Sequence, residues 1–196
     1  MRKLIVSEFM TLDGVMQAPG GKDEDRDGGF EHGGWTLPYW HDDIGKAFGT
    51  LMLECDALLL GRRTYVTHAQ AFEPMEPGNP FGDMMNAPAK YVVSRTLEKP
   101  IWRNTTIIRG DVVEAIRGLK SQPGKTIMTD GSSQLVHTML AADLVDELHL
   151  LLYPLTVGGG KRLFPERVDT RFTLKEATPY PSGVVGLHYV RETRSA

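Results

Sequence analysis

Three short segments of this chain combine small residues, hydroxyls and arginines in a way that suits anion binding. Gly61-Arg62-Arg63-Thr64 and Gly131-Ser132-Ser133-Gln134 each follow an apolar run and open a stretch of helical period. A small residue at such a strand-to-helix turn frees backbone N–H groups at a helix N-terminus, where the positive end of the helix dipole attracts phosphate. Val93-Ser94-Arg95-Thr96 also ends an apolar run. The planar guanidinium of Arg95 suits a phosphate monoester, such as the 2'-phosphate of an adenosine. Ligands of α/β sheets bind at the carboxyl ends of strands, so the first two turns are placed to converge on one diphosphate. The plainer alternatives are ordinary helix capping by Thr64 and Ser132 and a solvated surface charge at Arg95.

Other chemistries fail the same test. No Gly-x-Gly-x-x-Gly follows a strand, and Gly158-Gly159-Gly160-Lys161 lacks the earlier glycine and the following Ser or Thr of a P-loop. There is no Gly-x-Ser-x-Gly elbow for a nucleophile, and the six histidines, at 32, 41, 68, 137, 149 and 188, are scattered. Cys55 is the only cysteine, so no intramolecular disulfide forms and no zinc spacing exists. His41-Asp42-Asp43 reads as a charged helix start in preference to a metal ligand set, and no metal is expected.

Composition bounds what these turns belong to. The 196 residues carry 22 basic and 25 acidic side chains, a formal charge of -3, with 41% hydrophobic and 24% charged residues. That is an ordinary globular composition, read here as one domain over residues 1–196. No basic run is longer than the pair Arg62-Arg63, so nucleic acid is not an expected partner. No window of about 18 apolar residues exists and Glu8 interrupts the apolar start, so neither a membrane span nor a signal peptide is expected. A cytoplasmic protein with a small-molecule partner is the expectation.

Short apolar runs alternate with helical stretches, the pattern of an α/β sheet with crossover helices. Strands are expected at Leu4–Phe9, Ala57–Leu60, Lys90–Ser94, Thr105–Arg109, Thr126–Thr129 and Glu147–Tyr153. Phe172–Ala177 and Val184–Val190, separated by Pro179-Tyr180-Pro181-Ser182-Gly183, read as a closing antiparallel pair, so the sheet is expected to be mixed. Helical spacing appears over Asp42–Glu54, directly after Gly61, over Val112–Leu119, and at Leu135, Val136, Met139 and Leu140. Residues 14–38, rich in Gly, Asp and Pro, read as a functional loop that is mobile over 17–34; residues 73–90, with four prolines, read as a second long loop. The apolar Leu148–Tyr153 run and the C-terminal pair suggest strand pairing across a two-fold axis in a homodimer.

Several segments, in order, resemble the dihydrofolate reductase-like fold, and more closely the C-terminal reductase domain of bifunctional riboflavin biosynthesis proteins. They are Thr11-Leu12-Asp13-Gly14-Val15, Leu60-Gly61-Arg62-Arg63-Thr64-Tyr65, Lys90 to Leu97, Asp130 to Val136, and Leu144 to Leu148 running into Gly158 to Phe164. The resemblance implies a three-layer α/β fold with a mixed, mostly parallel sheet, and a bound NADPH. Gly61, Arg62, Arg63 and Thr64, with Gly131, Ser132, Ser133, Gln134 and Leu135, would hold its diphosphate, and Ser94, Arg95 and Thr96 its 2'-phosphate. It implies an NADPH-dependent oxidoreductase similar to 5-amino-6-(5-phosphoribosylamino)uracil reductase, acting on a pyrimidine- or pterin-like heterocycle. A non-catalytic nucleotide-binding protein and a dihydrofolate reductase are the alternatives. Val15 and Met16 are candidates for the nicotinamide wall, and Trp35, Trp40 and Asp42 for the substrate pocket. Where folate reductases carry a pterin-gripping carboxylate after a Trp-x-x-Pro segment, this chain has Trp40, which argues against dihydrofolate.

Overall fold

The computed structural model describes residues 1–166 and 168–192. Its eight strands are β1 (Leu4–Thr11), β2 (Cys55–Gly61), β3 (Ala89–Val93), β4 (Thr105–Ile108), β5 (Thr126–Thr129), β6 (Glu147–Tyr153), β7 (Phe172–Pro179) and β8 (Val185–Arg191). They form one sheet in the order β4-β3-β2-β5-β1-β6-β8-β7. Every pair from β4 to β6 is parallel, and β8 runs antiparallel to both β6 and β7. The sheet is therefore mixed and mostly parallel with a C-terminal antiparallel pair, as the sequence pattern and the resemblance both indicate.

Five helices cover the faces: α1 (Asp42–Leu53), α2 (Arg62–Phe72), α3 (Pro80–Asn86), α4 (Val112–Ser121) and α5 (Ser133–Ala141). Alternation along β1 shows the layering, because Leu4 and Val6 pack with Ile116 of α4 and Met139 of α5, whereas Ile5 packs with Met52 of α1, Tyr65 of α2 and Met85 of α3. The central strands bury both faces, which is why Ala57–Leu60 is a continuous apolar run.

Three expectations need correction. The stretch 73–90 contains α3 and leads into β3 at Ala89. Pro80 was read as a breaker, but it occupies the first helical position, where its missing N–H costs nothing, and the Asn79 side chain caps the helix by accepting from the amides of Phe81 and Gly82. The loop after β1 is heavily tied down: the Trp35 indole donates to the Gln17 carbonyl at 2.8 Å, the Gln17 amide donates to the carbonyls of Asp25 and Asp27, and Lys161 pairs with Asp25 at 2.5 Å. Finally, β6 lies between β1 and β8 and has no free edge; only β4 and β7 do. A second copy cannot extend β6 itself.

The β3–β4 connection hangs on one phenol. Tyr65 of α2 is fully buried, and its hydroxyl accepts from the amides of Ile101 and Trp102 at 3.0 and 2.9 Å while donating to Thr105 Oγ1. Tyr65→Phe strands two amides of that connection and is expected to lower stability by about 1–3 kcal/mol in urea unfolding, with the slope unchanged.

Candidate active site

Because β3, β2, β5 and β1 are neighbours and parallel, the turns at their carboxyl ends lie along one edge of the sheet. The turn after β2 and the turn after β5 hold each other directly. Gly61 N–H donates to Ser132 Oγ at 2.8 Å, and Ser132 N–H donates to Thr64 Oγ1 at 3.0 Å. The hydroxyls of Thr64 and Ser132 are thus spent on the clasp and do not cap their own helices. Gly61 is the N-cap residue of α2, and Ser132, the N-cap residue of α5, makes no capping bond with its side chain. Gly131, at a φ of +61°, allows the approach, since a Cβ there would lie 2.8 Å from Thr64.

This clasp sets two helix N-termini side by side. The first amides of each helix, those of Arg62, Arg63 and Thr64 and of Ser133 and Gln134, lie too early in their helices for the i−4 acceptor and face the same edge. Arg62 and Gln134 are exposed, while Leu135 is buried in the core, so that Leu135 offers the edge no side chain. The turn after β3 flanks them: Ser94 is buried, and its Oγ accepts from the amides of Thr96 and Leu97 at 3.2 and 2.9 Å, leaving Arg95 and Thr96 exposed. Among the described residues neither Arg62 nor Arg95 meets a carboxylate, whereas Arg63 pairs with Asp27 of the loop after β1. Lys161 also reaches Asp27, at 3.1 Å, and these two cations hold the Asp27 carboxyl below its usual range.

The loop residues pack above this edge. The Asp13 carboxylate accepts from Thr11 Oγ1 and from the amides of Val157 and Gly158, which keeps it ionised below the usual value. The backbone of Val15 bridges that of Arg162, and Met16 N–H donates to the Lys161 carbonyl. Val15, Met16 and Trp35 are buried, and Trp35 meets Tyr153 edge to face at 5.2 Å. Trp40, in contrast, is 52% exposed and lies against Gly45, and Asp42 is exposed in the first turn of α1. His41 caps α1 and Asp43 pairs with Lys46, the charged helix start expected from the sequence. A cleft of about 580 Å³ opens between Gln17, Gly28, Phe30 and His32 on one side and Gly159 and Lys161 on the other.

The groups with the most perturbed chemistry were missed by the sequence analysis. Glu8 of β1 is buried, and its Oε1 has no hydrogen-bond partner among the described residues. Burial and the nearby Asp130 charge push its carboxyl well above the usual range, opposed only by the Gly131 amide. Asp130 Oδ1 and Thr129 Oγ1, at the adjoining end of β5, are likewise buried and unpartnered. Asp130 Oδ2 takes the His68 ring at 3.0 Å. Burial disfavours a charge on His68, but the Asp130 charge and hydrogen bond outweigh it and hold the imidazole above its ordinary value. Buried polar atoms without partners are rare, and three of them gather beside the clasped turns.

The model of the RibD C-terminal domain matches residues 2–186. The chain belongs to the RibD C-terminal domain family. Its fold is shared with a Shewanella sp. PV-4 protein whose name connects it with riboflavin biosynthesis, at 20% identity and a TM-score of 0.69, covering 97% of this chain and 99% of that one. A pyrimidine reductase-like protein of Corynebacterium diphtheriae matches at 13% identity and a TM-score of 0.66, over 98% and 92%. Dihydrofolate reductase of Enterococcus faecalis, solved with NADP(H), matches at 17% identity and a TM-score of 0.64, over 97% of each chain. The RibD C-terminal domain fold thus places the clasped turns and Glu8 in a dihydrofolate reductase-like scaffold.

Glu8→Gln removes a buried acid. Because the folded-state pKa is raised, folded protein holds this proton where unfolded chain has lost it, so the wild type loses stability as pH rises above about 4.5. In urea unfolding across pH 4 to 8, the variant is expected to be the more stable form at neutral pH, with the gap closing toward pH 4.5.

Proposed function

We propose that this chain is an NADPH-dependent reductase of a pyrimidine-like heterocycle, of the chemistry represented by 5-amino-6-(5-phosphoribosylamino)uracil. The reading is carried by the clasp between the β2 and β5 turns, which sets the first amides of two helices side by side, near a buried Glu8 whose carboxyl is held well above its usual range. The residues fit a dinucleotide: the α2 and α5 amides and Arg62 meet the diphosphate, and Ser94, Arg95 and Thr96 meet the 2'-phosphate. The family membership and the NADP(H) complex of a protein sharing the fold support this assignment.

NADPH bound on these turns supplies the hydride. What the protein itself supplies is position, dryness and a proton. Burial and the neighbouring Asp130 charge both favour the protonated form of Glu8, which suits it to act as an acid. Glu8, whose Oε1 has no hydrogen-bond partner among the described residues, would be the group to supply a proton to the reduced substrate. His68 fixes Asp130 and balances its charge. By the resemblance to folate reductases, Trp40 follows the Trp-x-x-Pro segment where those enzymes carry a carboxylate, which favours a pyrimidine over a pterin.

Arg95→Ala is expected to weaken NADPH binding by roughly 10- to 150-fold, equivalent to ~1.5–3 kcal/mol, with NADH nearly unchanged; Arg62→Ala follows with a smaller loss. Fluorescence titration of both nucleotides into wild type and variants checks this, and a wild type binding both equally refutes it. Turnover is tested by NADPH oxidation with pyrimidine and pterin candidates, where Glu8→Gln should reduce kcat by about 100-fold. Binding without turnover of any heterocycle supports the non-catalytic reading instead. The working unit is proposed to be a cytoplasmic homodimer, joined through the half-buried β8 and edge strand β7. Light scattering should give twice 21.8 kDa.

A further inference from the structure

At the opposite end of the sheet from the cofactor turns, three side chains of metal-binding type converge. Glu147 opens β6, so it lies at the amino edge of the parallel strands, in register with Ile5 near the start of β1. His149 is two residues on and shares its face, and His188 of β8 is the residue directly opposite His149 across the antiparallel pair. The two imidazole rings stack at 4.2 Å with planes 20° apart. Both Nε2 atoms address one atom, Glu147 Oε2, at 3.3 Å from His149 and 3.1 Å from His188. The other oxygen, Oε1, is held by Lys3 Nζ at 2.6 Å.

We propose that Glu147, His149 and His188 form a binding site for a borderline divalent cation of the zinc class, with its fourth position open to water. In a tetrahedral zinc site with bonds of about 2.0–2.1 Å, neighbouring ligand atoms stand about 3.3 Å apart. The two nitrogen-to-oxygen separations already have that value. All three donor atoms lie within 4.8 Å of one another. The donor set suits the ion chemically. Burial, and the neighbouring His188, keep His149 below its ordinary pKa against the pull of Glu147, which favours the neutral ring a metal needs. Burial opposes ionisation of Glu147, but Lys3 and the two imidazoles overcome it and hold the carboxylate charged.

Lys3 acts on the ligand from outside, fixing Oε1 so that Oε2 faces the imidazoles. Glu54, at the end of α1, and Asp146 are the other charged groups near Lys3, and Glu54 also acts on His149; both are acidic and favour a cation. The rings of His149 and His188 line a cleft of about 170 Å³ between α1 and β8, with Phe48 and Leu51 opposite, which admits the ion and its water. The site is remote from the cofactor edge. Its effect would be to pin β8 to β6, not to take part in reduction.

The test uses the full chain, stripped with chelator, titrated with Zn²⁺ by calorimetry and with Co²⁺ by visible absorption. One Zn²⁺ per chain is expected, together with the intense visible bands of tetrahedral Co²⁺ and a rise in unfolding temperature on loading. Lys3→Met should weaken Zn²⁺ by roughly tenfold, and His188→Gln and His149→Gln by more. Circular dichroism of the metal-free variants checks that they fold. Weak octahedral Co²⁺ bands in the wild type overturn the proposal without recourse to any variant, and so does unchanged Zn²⁺ affinity in a folded His149→Gln/His188→Gln protein. NADPH binding is unaffected either way, which keeps this result separate from the assignment of the reductase site.

Discussion

The reciprocal bonds from Gly61 to Ser132 and from Ser132 to Thr64 impose an arrangement that neither helix would adopt alone. Each is an ordinary hydrogen bond worth about 1 kcal/mol net. Their consequence is geometric, because they hold the positive ends of two helix dipoles together, an unfavourable meeting that a bound anion relieves. Much of the edge is explained by that tension. Gly131 must lack a side chain, Ser132 must accept a left-handed backbone, and the hydroxyls that sequence logic assigns to capping are spent on the clasp. The first amides of α2 and α5 are left without an i−4 acceptor.

Charge around the clasp is arranged in two tiers. Arg63 is already satisfied by Asp27, so the loop after β1 is tethered to the start of α2, while Arg62 meets no carboxylate among the described residues. A dinucleotide reaching Arg63 would compete with Asp27, coupling loop position to occupancy. Behind the turns, Glu8 and Asp130 place two carboxyl groups close together in a buried setting, and the pair avoids a double charge by keeping Glu8 protonated. The His68 ring meets the Asp130 carboxylate, which holds the imidazole above its ordinary value. An acid held neutral in this way reduces stability and gains function by the same interaction.

The loop over the edge is ordered by a few buried or half-buried polar groups acting at long range in sequence. Asp13 organises the turn at 157–158, Gln17 binds both its own loop and the Lys161 amide, and Trp35 closes the loop onto Gln17. Loop residues 14–38 therefore behave as a folded flap. Glycines there serve local geometry: a Cβ on Gly33 would collide with the backbone of Gly21 and Lys22.

Periodicity and turn chemistry were enough to find the strands, the mixed sheet and the three turns at strand ends, because those signals are local: two-residue alternation, 3.6-residue spacing, and small residues where a chain reverses. Pro80 misled because a proline's meaning depends on whether it stands first in a helix or inside one. Glu8 carried a readable signal, a glutamate inside an otherwise apolar strand, but its strangeness depends on β1 being interior, which the order of strands decides. His68 and Asp130, 62 residues apart, and Glu147, His149 and His188, spread over 41, show no motif spacing. Parallel crossovers and an antiparallel return bring them together, and burial then makes their charges matter. Local sequence determines which elements form and which turns leave helix amides at a strand end; only the tertiary structure decides which titratable groups share a dielectric and act as one.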